Sequence, residues 1–158
     1  MRKMFASGMV VFAGMVSVPA GTPLPPMPSQ PAPDYREDPR FDTLSKFFHQ
    51  TECPAEEYTT EFLKAADANQ LDWRLLPSLS FVETTGGKGA RNNNLFGWDS
   101  GRTHFPTPVA GIHEVGYQLG HASAYRDKEL DTLLEVYNPG TEYAQKVKSV
   151  MRRISPTE

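Results

Sequence analysis

Apolar side chains recur every three or four residues over most of the chain beyond residue 40, which is the spacing of one face of a helix. No segment alternates apolar and polar residues over more than a few positions, so regular strands are not expected. The pattern therefore predicts a mainly α domain. Its clearest stripes are those of the last two predicted helices, Leu130, Leu133, Leu134 and Tyr137, then Tyr143, Val147, Val150 and Ile154.

Polar caps and prolines mark where several of these helices begin. Asp42 is expected to cap a first helix that runs through Phe48, because its carboxylate can accept from the free N–H groups of a first turn. Pro54 suits the first turn of a second helix, where its missing N–H removes no hydrogen bond. The pair Thr107-Pro108 combines both signals and predicts the start of a fourth helix.

A third helix is predicted between Asp72 and the stop signal Gly86-Gly87. Pro77 then falls in the second turn, so a kink near the start of this helix is expected. The segment from Asn92 to Phe105 is rich in Asn, Gly and single aromatic residues, and it predicts a loop or a small hairpin.

The amino-acid composition limits the partners and cofactors that the chain is expected to bind. The 158 residues are enough for one ordinary core, and 39% of them are hydrophobic. The 16 basic and 19 acidic residues give a net charge of −3, and no basic run could neutralise a row of phosphates, so nucleic acid is not an expected partner. Cys53 is the only cysteine and the four histidines lack metal-site spacing, so neither a metal nor a cofactor is expected.

The first 20 residues have the layout of a secretory signal peptide. Arg2 and Lys3 precede an apolar run of about 15 residues, from Met4 to Val18, and Ala20 ends a small-residue cleavage site. The run is shorter than the roughly 20 residues that cross a bilayer as a helix. We therefore expect export to the periplasm or the exterior, without stable membrane insertion after cleavage.

Prolines dominate the segment that follows. Residues 21–40 contain seven of them, and their fixed φ angles and missing donors favour an extended, solvated linker. The folded domain is accordingly expected to cover residues 41–158.

One acidic residue lies on an apolar helix face. Leu76, Leu79 and Glu83 are spaced so that the carboxyl group shares the packing face of the third helix. Burial disfavours the charged form of a carboxyl group, and this is how a glutamate becomes a proton donor near neutral pH. The same spacing also suits a surface residue or a partner for the loop at the end of the helix.

Three blocks of sequence follow one another between about Tyr58 and Ile154. They are Leu79 to Lys88 (LSFVETTGGK), Asn93 to Trp98 (NNLFGW), and Tyr137 followed by Tyr143 to Val147 (YAQKV). Their order and separations resemble the glucosaminidase branch of the lysozyme-like superfamily, the peptidoglycan-cleaving domains of glycoside hydrolase family 73, and more distantly the lytic transglycosylases. The resemblance implies a lysozyme-like helical fold with a short loop or hairpin at its cleft.

The resemblance implies a role for each block. Glu83 would be the general acid that protonates the glycosidic oxygen of a β-1,4-linked amino sugar polymer. Asn94, Gly97 and Trp98 would bind the substrate, with Trp98 offering a ring face to a pyranose. Tyr137 would lie near the scissile sugar. Tyr143 would bind substrate or, equally well, begin the apolar stripe of the last helix, and Leu95 and Phe96 are expected to be ordinary core residues.

The second carboxylate is the point at which the chain departs from a two-acid glycosidase. Such enzymes need a nucleophile about 5 Å away or a base about 6.5–9.5 Å away. Asp99 is the only acid between Glu83 and the fourth helix, and it suits a turn as readily as a catalytic role. Glu114 is a lesser candidate. If neither acts, one acid can support lytic transglycosylation, or the substrate's own N-acetyl group can assist.

The sequence thus predicts an exported glycosidase acting on the glycan strands of peptidoglycan, similar to an endo-β-N-acetylglucosaminidase. Three alternatives remain open at this point. They are transglycosylase-type cleavage with a single acid, a cell-wall glycan-binding or scaffold protein without turnover, and an assembly factor that acts through the proline-rich segment.

Overall fold

The computed structural model describes residues 33–156 and, over that range, is mainly helical, which confirms the predicted class. The predicted signal segment, 1–20, and most of the predicted linker lie outside the described residues. The helices are α1 (Pro39–Gln50), α2 (Thr59–Ala68), α3 (Leu75–Thr84), α4 (Pro108–His121), α5 (Leu130–Tyr137) and α6 (Tyr143–Ile154), with a 3-10 helix at Pro54–Tyr58. None of the helices in this range has the length and apolar character needed to cross a membrane.

The first helix begins earlier than predicted. Asp38, not Asp42, is its N-cap, and the Asp38 carboxylate accepts from the backbone N–H of Arg40 at 2.8 Å. Pro39 occupies the first helical position, where its fixed φ is favourable, so a proline assigned to the linker in fact starts the first helix. The prediction of a cap at Asp42 was wrong because Asp42 already lies in the first turn.

The predicted second helix is divided in two. Residues Pro54–Tyr58 form a 3-10 helix and Thr59 begins α2, whose apolar face packs against α4. Gly120 of α4 permits this approach, since a Cβ atom there would lie 2.8 Å from the backbone oxygen of Asn69 at the end of α2.

Helix α3 lies in the core. Every residue from Leu75 to Ser80 is buried, and α6 packs along this helix. The helix begins at Leu75 rather than at Asp72, so Pro77 lies in the first turn, where its absent N–H would have had no helical partner. The kink expected from a second-turn proline is therefore not required.

The end of α3 is anchored to its surroundings. Thr85 adopts a left-handed conformation with φ 54°, and Gly86 continues it. A Cβ atom on Gly86 would meet the Sγ atom of Cys53 at 2.6 Å, so only glycine fits against this buried thiol. The Gly86 carbonyl also accepts from the N–H of Ala55 at 2.9 Å. The last turn of α3 is consequently held in a fixed position.

The segment from Asn92 to Phe105 is a loop. Within the described residues it contains no strand, and only an isolated bridge joins Arg91 to Asn94. Leu95 and Phe96 are 3% and 1% exposed, which confirms that both are core residues. They anchor the loop beside the end of α3.

Candidate functional site

A groove of about 620 Å³ opens where the end of α3 meets this loop. Three segments form its walls: the last turn of α3, the loop after Phe96, and the chain around α5. Its lining residues are Glu83, Phe96, Gly97, Trp98, Asp99, Ser100, Tyr125, Tyr137 and Asn138. Five of the seven residues predicted for the site from sequence therefore line one groove: Glu83, Gly97, Trp98, Asp99 and Tyr137.

Glu83 occupies the penultimate position of α3 and is partly buried. The hydroxyl group of Tyr143 donates to its Oε1 atom at 2.7 Å. Its Oε2 atom faces Gly97, because a Cβ atom built on that glycine would lie 3.1 Å from it. One carboxyl oxygen is thus held by the protein, and the other lies beside a residue of the groove wall.

Tyr143, the first residue of α6, is 8% exposed and is therefore a core residue. Its hydroxyl group is also the hydrogen-bond partner of Glu83. Burial, the hydrogen bond to Glu83 and the nearby charge of that residue raise the pKa of the Tyr143 hydroxyl well above its usual value. The phenol consequently stays protonated and remains a donor. Tyr143 does not line this groove, so its predicted contact with substrate remains a prediction.

Gly97 adopts φ 58°, a left-handed conformation that glycine tolerates at little cost. Any side chain at this position would also crowd the Oε2 atom of Glu83. Gly97 is therefore required both by the turn of the loop and by access to the carboxyl group.

Asn94 supports the loop from within. It is 2% exposed, its Nδ2 atom donates to the carbonyls of Trp98 (2.9 Å) and Thr103 (3.2 Å), and its Oδ1 atom accepts from the Trp98 N–H at 2.9 Å. Thr84 attaches the same loop to α3, because its hydroxyl donates to the Leu95 carbonyl at 2.8 Å. All the hydrogen-bonding groups of the Asn94 side chain are used internally, so its predicted contact with substrate remains a prediction and its evident role is to hold the loop.

Part of the groove wall is aromatic. The ring of Trp98 lies 5.8 Å from that of Tyr137 and 6.2 Å from that of Tyr125. Tyr137 stacks on Tyr143 with ring centroids 5.9 Å apart and planes 12° apart, and its hydroxyl donates to the Phe96 carbonyl at 2.9 Å. Burial and the charge of Glu83 raise the Tyr137 pKa, so this hydroxyl is also a fixed donor. Its oxygen lone pairs remain able to accept.

The two candidates for a second acid differ in placement. Asp99 lines the groove but is exposed, adopts φ 52°, and pairs with Arg102 at 2.5 Å. Glu114 is exposed on α4, accepts from Gln118 at 2.8 Å, and does not line the groove. The geometry therefore keeps Asp99 as a candidate and removes the support for Glu114.

Sequence reasoning missed three lining residues, Ser100, Tyr125 and Asn138. Tyr125 lies between α4 and α5 and belongs to no apolar stripe, and Asn138 is the C-cap of α5. Neither periodicity nor spacing could place them, because their position depends on how the helices pack.

Three of the four histidines contact polar side chains. His113 bonds to Glu61 at 2.8 Å across α2 and α4, His49 lies 3.3 Å from Glu56, and His121 lies 3.1 Å from the Asn69 side chain. Between residues 33 and 156, no group of three or more His, Cys, Asp or Glu side chains is arranged to hold a metal ion.

No protein-family model, no curated protein and no solved structure matches this chain.

Proposed function

We propose that this protein is an exported peptidoglycan glycosidase that cleaves β-1,4 bonds of the glycan strand, with Glu83 as the general acid and with a lysozyme-like fold. The observation that carries the proposal is the Glu83 carboxyl group, held by the Tyr143 hydroxyl at 2.7 Å in a groove with an aromatic wall. Three further features support it: the ordered sequence blocks, the mainly helical fold, and the signal-like first 20 residues.

The two oxygens of Glu83 have different tasks in this mechanism. Oε1 accepts from Tyr143, so the transferable proton resides on Oε2, beside Gly97. A pyranose stacked on Trp98 presents its glycosidic oxygen to Oε2. The proton passes to that oxygen as its bond to C1 breaks, and positive charge develops on the sugar. The Tyr137 oxygen offers lone pairs to this charge.

Apart from assistance by the substrate's own N-acetyl group, the second step has two possible routes. Water can attack C1 with help from a base, or the 6-hydroxyl group of the same sugar can attack C1 and return its proton to the Glu83 carboxylate, which leaves a 1,6-anhydro end. The second route needs no additional acid. The exposure of Asp99 and its pairing with Arg102 favour this transglycosylase-type route as the second candidate function.

Analysis of the products tests both parts of the proposal. Purified protein is incubated with cell-wall sacculi, and soluble fragments are identified by mass spectrometry. Reducing ends indicate hydrolysis, and anhydro ends indicate transglycosylation. The Glu83→Gln variant should release fragments about 100- to 10,000-fold more slowly, which is the range contributed by general acid catalysis.

Glu135→Gln is the matched control, because Glu135 is an exposed glutamate of α5 that does not line the groove. It should behave as wild type. Undiminished release by Glu83→Gln would remove Glu83 from the mechanism. Binding of the wild-type protein to sacculi without any release would identify a glycan-binding protein instead.

A further inference from the structure

A second groove, of about 530 Å³, lies next to the first. Tyr125 lines both grooves, so they meet at this residue. The second groove runs from there along the end of α4, where His121 lies, to the chain that leads into α5.

The second groove carries positive charge. Arg126 and Lys128 line it and are exposed, and neither forms an ion pair with any residue of the range 33–156. Asp127 is the one acidic residue among those that line it. Two unpaired cations in a single groove contrast with the net charge of −3 of the whole chain.

The segment that carries these cations is a hydrogen-bonded turn. The N–H groups of Tyr125 and Arg126 both donate to the Ala122 carbonyl at 2.9 Å, and Asp127 adopts φ 59°. The turn thus presents an aromatic ring and two cationic side chains within four residues, from Tyr125 to Lys128.

We propose that the second groove is a subsite for the carboxylates of the peptide substituents on the glycan strand, with Arg126 and Lys128 as the binding residues. This inference rests on the proposed function. A sugar ring lying against Trp98 and Tyr125 in the first groove carries its substituent past Tyr125 and into the second. A guanidinium group and an ammonium group are the side chains that recognise a carboxylate there.

A binding experiment tests the subsite without requiring turnover. Protein carrying Glu83→Gln is sedimented with native sacculi and with sacculi whose carboxyl groups have been converted to methylamides by carbodiimide and methylamine. Adding Arg126→Ala and Lys128→Ala should weaken binding to native sacculi about 3- to 10-fold, the effect expected for two exposed charge pairs. Binding to the amidated sacculi should be changed less than about twofold by the same substitutions.

Lys46→Ala with Arg152→Ala is the matched control, because both side chains are exposed and lie outside the two grooves. It should bind both preparations as the parent does. Equal weakening on native and amidated sacculi, or none on either, overturns the subsite. The proposed function fails separately, through the absence of soluble products from wild-type protein.

Discussion

The two carboxylates of the first groove, Glu83 and Asp99, are held in different ways. Glu83 extends from a buried helix, and one of its oxygens accepts a hydrogen bond from a tyrosine that is 8% exposed. The side chain of Asp99 is 53% exposed, lies in a loop, and pairs with an arginine side chain that is 75% exposed. One acid is fixed by the core of the protein, and the other is fixed only by a partner in solvent.

Under the proposed function, this difference points to Glu83 as the acid that is positioned before the reaction. A proton donor works best when its surroundings hold it in place before the reaction, because no free energy is then spent on reorienting it. Glu83 meets this condition through α3, α6 and Gly97. An exposed ion pair contributes little rigidity and is screened by salt, so Asp99 lacks comparable support. The contrast favours a mechanism that depends on one acid.

The largest effect is expected for Glu83→Asp, which tests how strictly the position of the Glu83 carboxyl group matters. Glu83→Asp keeps the charge but withdraws the carboxyl group by about 1.5 Å, the length of one carbon–carbon bond. A displacement of this size should lower turnover about 100-fold. Release of soluble fragments from sacculi measures it, with circular dichroism to check the fold. Turnover within twofold of wild type would show that the site tolerates a movable acid.

Tyr143→Phe tests the hydrogen bond that holds Glu83. The ring and its stacking on Tyr137 remain, and only the hydroxyl is lost. This hydrogen bond strengthens as Glu83 gives up its proton and becomes charged, and a hydrogen bond to a charged group contributes at least about 1.5 kcal/mol. We therefore expect kcat to fall roughly tenfold while KM stays constant. Tyr117→Phe is the control, because Tyr117 is 55% exposed on α4. A rise in KM alone would mean that Tyr143 binds substrate instead of orienting Glu83.

Sequence patterns predicted the elements that depend on local signals. Thr107 caps α4 through a 3.1 Å hydrogen bond to the Ala110 N–H, as the Thr107-Pro108 pair predicted. The stripe from Tyr143 to Ile154 predicted α6 at both ends. These successes share a cause, because caps and apolar periodicity act within a few residues of one another. The predicted cap at Asp42 was wrong because Asp38-Pro39 offers the same kind of signal four residues earlier.

The candidate site depends on contacts between residues far apart in the sequence, which local sequence patterns do not predict. Tyr143 and Glu83 are 60 positions apart and meet only because α6 packs along α3. The apolar stripe correctly assigned Tyr143 to the core, but the stripe could not show that its hydroxyl reaches a carboxyl group. Asn94 was predicted to bind substrate because of its place in a motif, but its side chain forms its hydrogen bonds with the backbone of the loop.

Gly97→Ala tests the wall that faces Glu83. The left-handed backbone should lower the free energy of unfolding by about 1–2 kcal/mol, and the new Cβ atom, 3.1 Å from Oε2, should reduce turnover by roughly 3- to 5-fold. Gly101→Ala is a matched control, because Gly101 has φ 77° and open space around its Cβ position. Thermal unfolding should therefore shift similarly in both variants, while only Gly97→Ala should slow turnover. Equal turnover in the two would show that crowding at Oε2 has no effect.

The smallest effect is expected for Asp99→Asn. If one acid suffices, removing this charge breaks only an exposed pair with Arg102, and turnover should change less than about twofold with no change in the thermal midpoint. A base or nucleophile at this position would instead make the loss about 100-fold or more, comparable with that of Glu83→Gln. The products also distinguish the two cases. If Asp99 is needed as a base or nucleophile, the fragments carry reducing ends. If Asp99 is not needed, anhydro ends are compatible with the mechanism. A large loss combined with reducing ends would therefore establish a two-acid hydrolase, and it would show that substrate binding supplies the order that Asp99 lacks in the free protein.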